Sequence, residues 1–259
     1  LSKYGKPKHT YVTGHSMGGL ITVALIEKFP EAYDGALPMC GAVAPTLTMF
    51  KRRLFDLLVV FDYYYPGAIG SPVKFADNVR LSAEYSAELA KIIDADPVKR
   101  AAVAKYAGLQ SPEKETALGI AFFANILKEL QQRAGSNAFD NRDTIYSGTE
   151  DDVLINRQVK RYAADPKAVE YVKRYYTSTG KLTRPVLAVH SYYDPVVPTW
   201  VTNEYGDMVR SNGASDFFVQ RFTAHGGHCA IKPQETIHAF TDLVEWVTNG
   251  KRPVPGAQK

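Results

Sequence analysis

Apolar positions along this chain follow two rhythms, and the change between them divides it into three parts. Near both ends, short β-branched and aromatic runs alternate with stretches of helical spacing. Residues 9–13 read as a buried strand, 19–29 as an apolar helix that Pro30 stops, and 35–41 as the next strand. Residues 184–190 and 216–222 read as two further strands, and 234–247 as a closing amphipathic helix. Strand and helix in this alternation predict an α/β fold with a mostly parallel sheet. Residues 45–180 have another texture. Helical spacing dominates over 81–93, 97–107, 116–133 and 165–176, with Asp96 where an N-cap belongs and Pro97 at the first helical position. The expected organisation is a core built from 1–44 and 181–259, interrupted by a long helical insertion, 45–180.

The junction between the first strand and its helix carries the chemistry. Gly14-His15-Ser16-Met17-Gly18 is a G-x-S-x-G motif with a strand before it and a helix after it, the setting of a nucleophile elbow. Such a turn is tight enough that flanking side chains would clash, which is the expected reason for Gly14 and Gly18. Ser16 is thereby presented as a nucleophile. The Met17 amide, at the helix start, is expected to face developing negative charge as an oxyanion donor. His15 packs beside the nucleophile in this reading.

A serine hydroxyl needs a base, and the base needs a carboxylate to orient it. The strand at 184–190 opens into a loop over 191–198 stiffened by Pro195 and Pro198, and Asp194 sits on it as the expected acid. The strand at 216–222 ends in a segment with two histidines. His228 is the expected base, because Gly226 and Gly227 let its loop bend back over the sheet. His225, closer to the strand end, is expected to line the site. His9, His15, His190 and His238 have weaker claims to the base. Tyr192 and Tyr193, beside the acid, are candidates for substrate binding through an aromatic or bulky acyl group. Tyr63, Tyr64 and Tyr65 fit either a pocket or the core of the insertion.

With these pieces in place, the chain resembles an α/β-hydrolase of the esterase, lipase and prolyl-oligopeptidase-like kind. The resemblance rests on Gly14 to Gly19, the Asp194-Pro195 pair and Gly227-His228-Cys229. Segments 139–148 and 161–165 are similar to secreted bacterial hydrolases in which a helical insertion interrupts the second half of the sheet. The resemblance implies a Ser16–His228–Asp194 triad cleaving carboxylic esters, with 45–180 as a helical cap over the active site and a secreted or periplasmic setting. The same groups could serve a peptidase or amidase, and an incomplete, non-catalytic subunit or binding protein is a third reading. In the family the nucleophile strand has a long stretch of chain before it, including the loop that supplies the second oxyanion donor. Here Ser16 stands near the first residue, and residues 1–7 resemble the tail of a helix and a turn. A fragment, a minimal hydrolase and a chain completed by a partner are the three explanations. In each, the nucleophile strand is a hydrophobic sheet edge unless something covers it. The expectation is association across that edge, as a homo-oligomer or with an N-terminal companion chain.

Composition changes this picture little. The 259 residues are 45% hydrophobic and 22% charged, enough for a substantial core. No apolar run approaches the roughly 18 residues of a membrane span. The net charge of +4 is mild and dispersed, so nucleic acid is not indicated. No spacing of ligand residues suggests a metal, and the proposed chemistry calls for no cofactor. The two cysteines, Cys40 and Cys229, both fall on the expected catalytic rim, where a disulfide tethering the histidine loop and two buried thiols are equally acceptable.

Overall fold

The protein is described from a computed structural model covering residues 5–257, so most of the helix tail expected over 1–7 lies outside the described residues. The chain forms two units. One takes in the residues up to Thr46 and those from Ser178 onward; the other is Leu47–Thr177.

The first unit opens with β1 (Tyr11–His15), α1 (Met17–Lys28) and β2 (Gly35–Met39). α1 ends where the Phe29 N–H caps the Leu25 carbonyl, one residue before Pro30 would break the helix. All five residues of β2 are buried, as a strand paired on both sides requires.

The second unit is helical. α2 (Thr46–Met49) continues through a π-helical stretch, Phe50–Phe55, into α3 (Asp56–Tyr64). A short hairpin of β3 (Gly70–Ser71) and β4 (Lys74–Phe75) precedes α4 (Ala83–Asp94), α5 (Pro97–Ala107), α6 (Pro112–Ala134), α7 (Asp152–Gln158) and α8 (Pro166–Tyr175). Ser82, Asp96, Asp151 and Asp165 cap four of these helices, each accepting a first-turn N–H and contributing about 1 kcal/mol. Leu58, Phe61, Leu89, Ile93, Val103 and Phe123 are buried in this unit. Tyr65 is buried with them, its hydroxyl placed to donate to the Ile93 and Asp96 carbonyls. That part of the aromatic run is core.

The chain returns to the first unit with β5 (Val186–Tyr193), α9 (Thr199–Ser211), β6 (Phe218–Gly226), α10 (Pro233–Asn249) and β7 (Gly256–Ala257). The sheet order is β1-β2-β5-β6-β7, with every pairing parallel. This is the expected α/β architecture, and its sheet is parallel throughout. Two strand limits differ from expectation. β5 runs on through 191–193, which reads as loop in the sequence, and β6 starts at Phe218 and carries His225 within it. The cause is mutual. Ser191 pairs with Thr223 and Tyr193 with Gly226, so each strand end gives the other its backbone partners, with an irregularity between them.

Alternation along the strands assigns the faces. Leu187, Val189 and Val219 pack in one cluster with Ala239, Leu243 and Trp246 of α10. On the other face Gln220 accepts from Thr202 of α9. Ala188 and His190 project to that α9 side. Glu27 of α1 accepts hydrogen bonds from the Thr179 and Gly180 amides and from the Tyr205 hydroxyl of α9. This ties the helix that follows Ser16 to the same face. β1 is an edge strand, paired on the β2 side, with Thr13 and His15 exposed. Among the described residues no helix is long and apolar enough to cross a membrane, and no group of three or more His, Cys, Asp or Glu side chains could hold a metal ion.

Candidate active site

Ser16 sits between β1 and α1 with φ 54° and ψ −117°, a backbone conformation that costs on the order of 1–3 kcal/mol for a residue with a side chain. Its amide is held by the Met39 carbonyl at 2.9 Å. The turn is tight for the reason expected at Gly14, where an added Cβ would stand 2.5 Å from the Gly18 carbonyl oxygen. The expectation for Gly18 itself is wrong, since a Cβ there would meet nothing within 4 Å. Gly19 is the second glycine the packing requires. A Cβ on it would come within 2.8 Å of the Gly41 Cα, in the turn after β2.

Three loops at the C-terminal ends of the parallel strands converge here. Ser16 Oγ lies 2.9 Å from His228 Nε2, and His228 Nδ1 lies 2.8 Å from Asp194 Oδ2. Asp194 is buried just past β5, and its Oδ1 accepts the Val196 and Val197 N–H groups, both at 2.8 Å. Burial alone would push this carboxyl up. The His228 hydrogen bond, the two amides and the His228 charge outweigh it and hold Asp194 below the ordinary 3.8. It therefore stays ionised and accepts the Nδ1–H, which leaves the His228 Nε2 lone pair facing the Ser16 hydroxyl. Met17 opens α1, so its N–H is among the first-turn amides that have no partner within the helix.

Cys40 and Cys229 form a disulfide with Cα atoms 5.2 Å apart, resolving the alternatives left by the sequence. It joins the end of β2 to the residue after His228. Ser16, Cys40 and Cys229 are the non-glycine residues with positive φ among those described, and all three lie at this end of the sheet. Because the bridge spans 189 residues, the double variant Cys40→Ala/Cys229→Ala should lose about 2–5 kcal/mol of unfolding free energy, read by urea titration. An unchanged midpoint and slope would deny the bridge a stabilising role.

The other expected site residues are spread around these three. His225 Nε2 lies 3.5 Å from Glu235 Oε1. The rings of Tyr192 and Tyr193 border Gly226 on the histidine loop, and the Tyr193 carbonyl accepts the Gly227 N–H at 2.8 Å. Tyr192 and His15 are exposed. Sequence reasoning undervalued His190. It is buried, four residues before Asp194, with Nε2 2.7 Å from the Val197 carbonyl and Nδ1 without a hydrogen-bond partner. It follows the apolar run Val186 to Val189 in β5, which marks it as buried but does not say which group its ring meets.

Burial lowers the His190 pKa below 6.5 against the Val197 hydrogen bond and the Asp194 charge, with His228 adding to the lowering. The native state thus excludes a proton that the unfolded chain binds, so stability rises with pH from the lowered folded value up to about 6.5. Acidification from pH 7 towards pH 5 should destabilise the wild type more than His190→Gln, measured as ΔG of unfolding at each pH. Parallel pH dependences would remove His190 as the source.

No protein-family model and no curated protein matches this chain. Among solved structures it is similar to tannin acyl hydrolase from Aspergillus niger, at 15% identity over 95% of this chain and 58% of that one, with a TM-score of 0.44. Feruloyl esterase B from Aspergillus oryzae matches at 13% identity over 95% of this chain and 61% of that one, TM-score 0.40. A 2-hydroxy-6-oxo-6-phenylhexa-2,4-dienoate hydrolase from a Rhodococcus strain matches at 14% identity over 93% and 64%, TM-score 0.34. The chain spans less than two thirds of the length of each of these three.

Proposed function

We propose that this chain is a serine hydrolase that cleaves carboxylic esters through an acyl-enzyme on Ser16. The observation that carries the reading is the continuous hydrogen-bond line from Ser16 Oγ through both ring nitrogens of His228 to the buried Asp194 carboxylate. His228 Nε2 takes the hydroxyl proton as Oγ bonds to the ester carbonyl carbon. It then returns that proton to the leaving alcohol as the ester C–O bond breaks. Water repeats the sequence on the acyl-enzyme, releasing the acid and restoring the Ser16 hydroxyl. Asp194 fixes the tautomer and stabilises the imidazolium that forms in each half. The Met17 amide, at the positive end of α1, supplies one oxyanion hydrogen bond. A single missing donor typically costs about two to three orders of magnitude in rate, so a second donor decides how good a catalyst the chain is. Tyr192, Tyr193, His15 and His225 are the side chains assigned to substrate contact.

The test is intact mass spectrometry after treatment with a fluorophosphonate, with the adduct mapped by peptide. One adduct on the peptide holding Ser16, with nitrophenyl esters cleaved faster than the matching anilides, is the expected result. An adduct with anilides preferred would make the chain a peptidase or amidase. No adduct on Ser16 would overturn the catalytic reading in favour of a binding or subunit role.

A further inference from the structure

The acid of the site depends on a stretch of loop backbone that something else must hold. Asp194 Oδ1 takes both its amide hydrogen bonds from the loop over 195–197, so the direction of the carboxylate follows that loop's backbone. Pro195 and Pro198 restrict the loop, and Pro198 confines Val197 to extended backbone, which couples the direction of the Val197 carbonyl to that of its N–H in the preceding peptide unit. Val197 is itself buried, and its carbonyl accepts from the His190 imidazole at 2.7 Å. A carbonyl can only accept, so Nε2 carries the proton and Nδ1 is the bare nitrogen. That bare nitrogen is buried without a partner, a cost that leucine or phenylalanine at this strand position would avoid. The same Nε2 stands 3.9 Å from Asp194 Oδ2, too far to bond but with its N–H dipole near the carboxylate.

We propose that His190 is a positioning residue for the acid: through the Val197 carbonyl it sets the two amides that aim Asp194 at His228. This rests on the hydrolase reading above. His190 touches neither substrate nor the reacting atoms. It acts by keeping Oδ1 on the loop amides, so that both carboxylate oxygens face the His228 Nδ1–H, Oδ2 at 2.8 Å and Oδ1 at 3.0 Å.

The test compares His190→Phe, which fills the space without a donor, with His190→Gln, whose side-chain amide can reach the Val197 carbonyl, and His190→Asn, which is too short. Thermal unfolding reports folding. Proton NMR reports the downfield His228 Nδ1–H signal, which requires no turnover. Steady-state kinetics on a nitrophenyl ester separate kcat from KM. His190→Phe should keep KM and lose kcat by about tenfold to a hundredfold, the range seen when an outer partner that orients a metal-site ligand is removed, and should weaken the Nδ1–H signal. His190→Asn should behave alike, and His190→Gln should recover most of both. If His190→Phe does not fold, the contrast between the Gln and Asn variants decides. A folded Phe or Asn variant with wild-type kcat and signal would overturn the proposal, as would a Gln variant no better than Asn. If wild type and Ser16→Ala are equally inert, the hydrolase reading fails, and the NMR signal alone decides the role of His190.

Discussion

Ser16→Ala is expected to lower ester turnover by about a millionfold, to the level left by binding and any oxyanion donor. The size follows from the geometry. His228 Nε2 has Ser16 Oγ as its partner at 2.9 Å, and an alanine leaves the base with no hydroxyl to deprotonate. The fluorophosphonate adduct should vanish with it. The fold should not. The Ser16 side chain makes no cap hydrogen bond to α1, and its strained backbone is imposed by the approach of Gly14 to Gly18 rather than by the hydroxyl. An alanine accepts that conformation about as poorly as a serine does, so the melting temperature should stay close to wild type. An adduct that persists on Ser16→Ala would put the reactive nucleophile elsewhere.

The candidate site was legible where chemistry and local backbone coincide. Ser16, Asp194 and His228 each follow a parallel strand, and the strands were visible as β-branched and aromatic runs, although the one before Ser16 is a half-buried edge rather than the buried strand expected. Their C-terminal ends fall side by side because parallel pairing leaves them there. What the sequence hid depends on contacts between distant segments. Gly18 and Gly19 look alike in a G-x-S-x-G-G run, and the turn after β2 decides that Gly19 is the one with no room for a side chain. Residues 191–193 look like the opening of a loop because Asp194-Pro195 follows. Pairing with β6 extends the strand through them. The disulfide stood level with two thiols until the ends of β2 and the histidine loop were seen together. His190 escaped notice because a histidine in an apolar strand offers no sequence signal for which carbonyl its ring will meet.

Asp194→Asn is the second large effect, and the hydrogen bonds around the carboxylate give its direction. The Val196 and Val197 amides can only donate, so the asparagine carbonyl oxygen must occupy the place of Oδ1. The side-chain NH2 then takes the place of Oδ2, 2.8 Å from His228 Nδ1. Nδ1 also lies 3.0 Å from the oxygen at the Oδ1 place, but the donor at its shorter contact favours the tautomer in which Nδ1 accepts and the ring proton sits on Nε2. There it points at Ser16 Oγ and blocks deprotonation. The base is not removed but held in the wrong tautomer, so kcat should fall about ten-thousandfold, as a comparable change does in a serine protease. Nitrogen NMR of the imidazole should report the exchanged tautomer directly. The variant should also lose the acid sensitivity that Asp194 contributes. Its carboxylate stabilises the fold above the ordinary pKa of 3.8, and that contribution disappears as pH falls through the lower folded value. Asp194→Asn with activity within tenfold of wild type would mean that His228 is oriented by something other than this carboxylate. A large loss without the tautomer change would mean that the loop over 194–198 had moved instead.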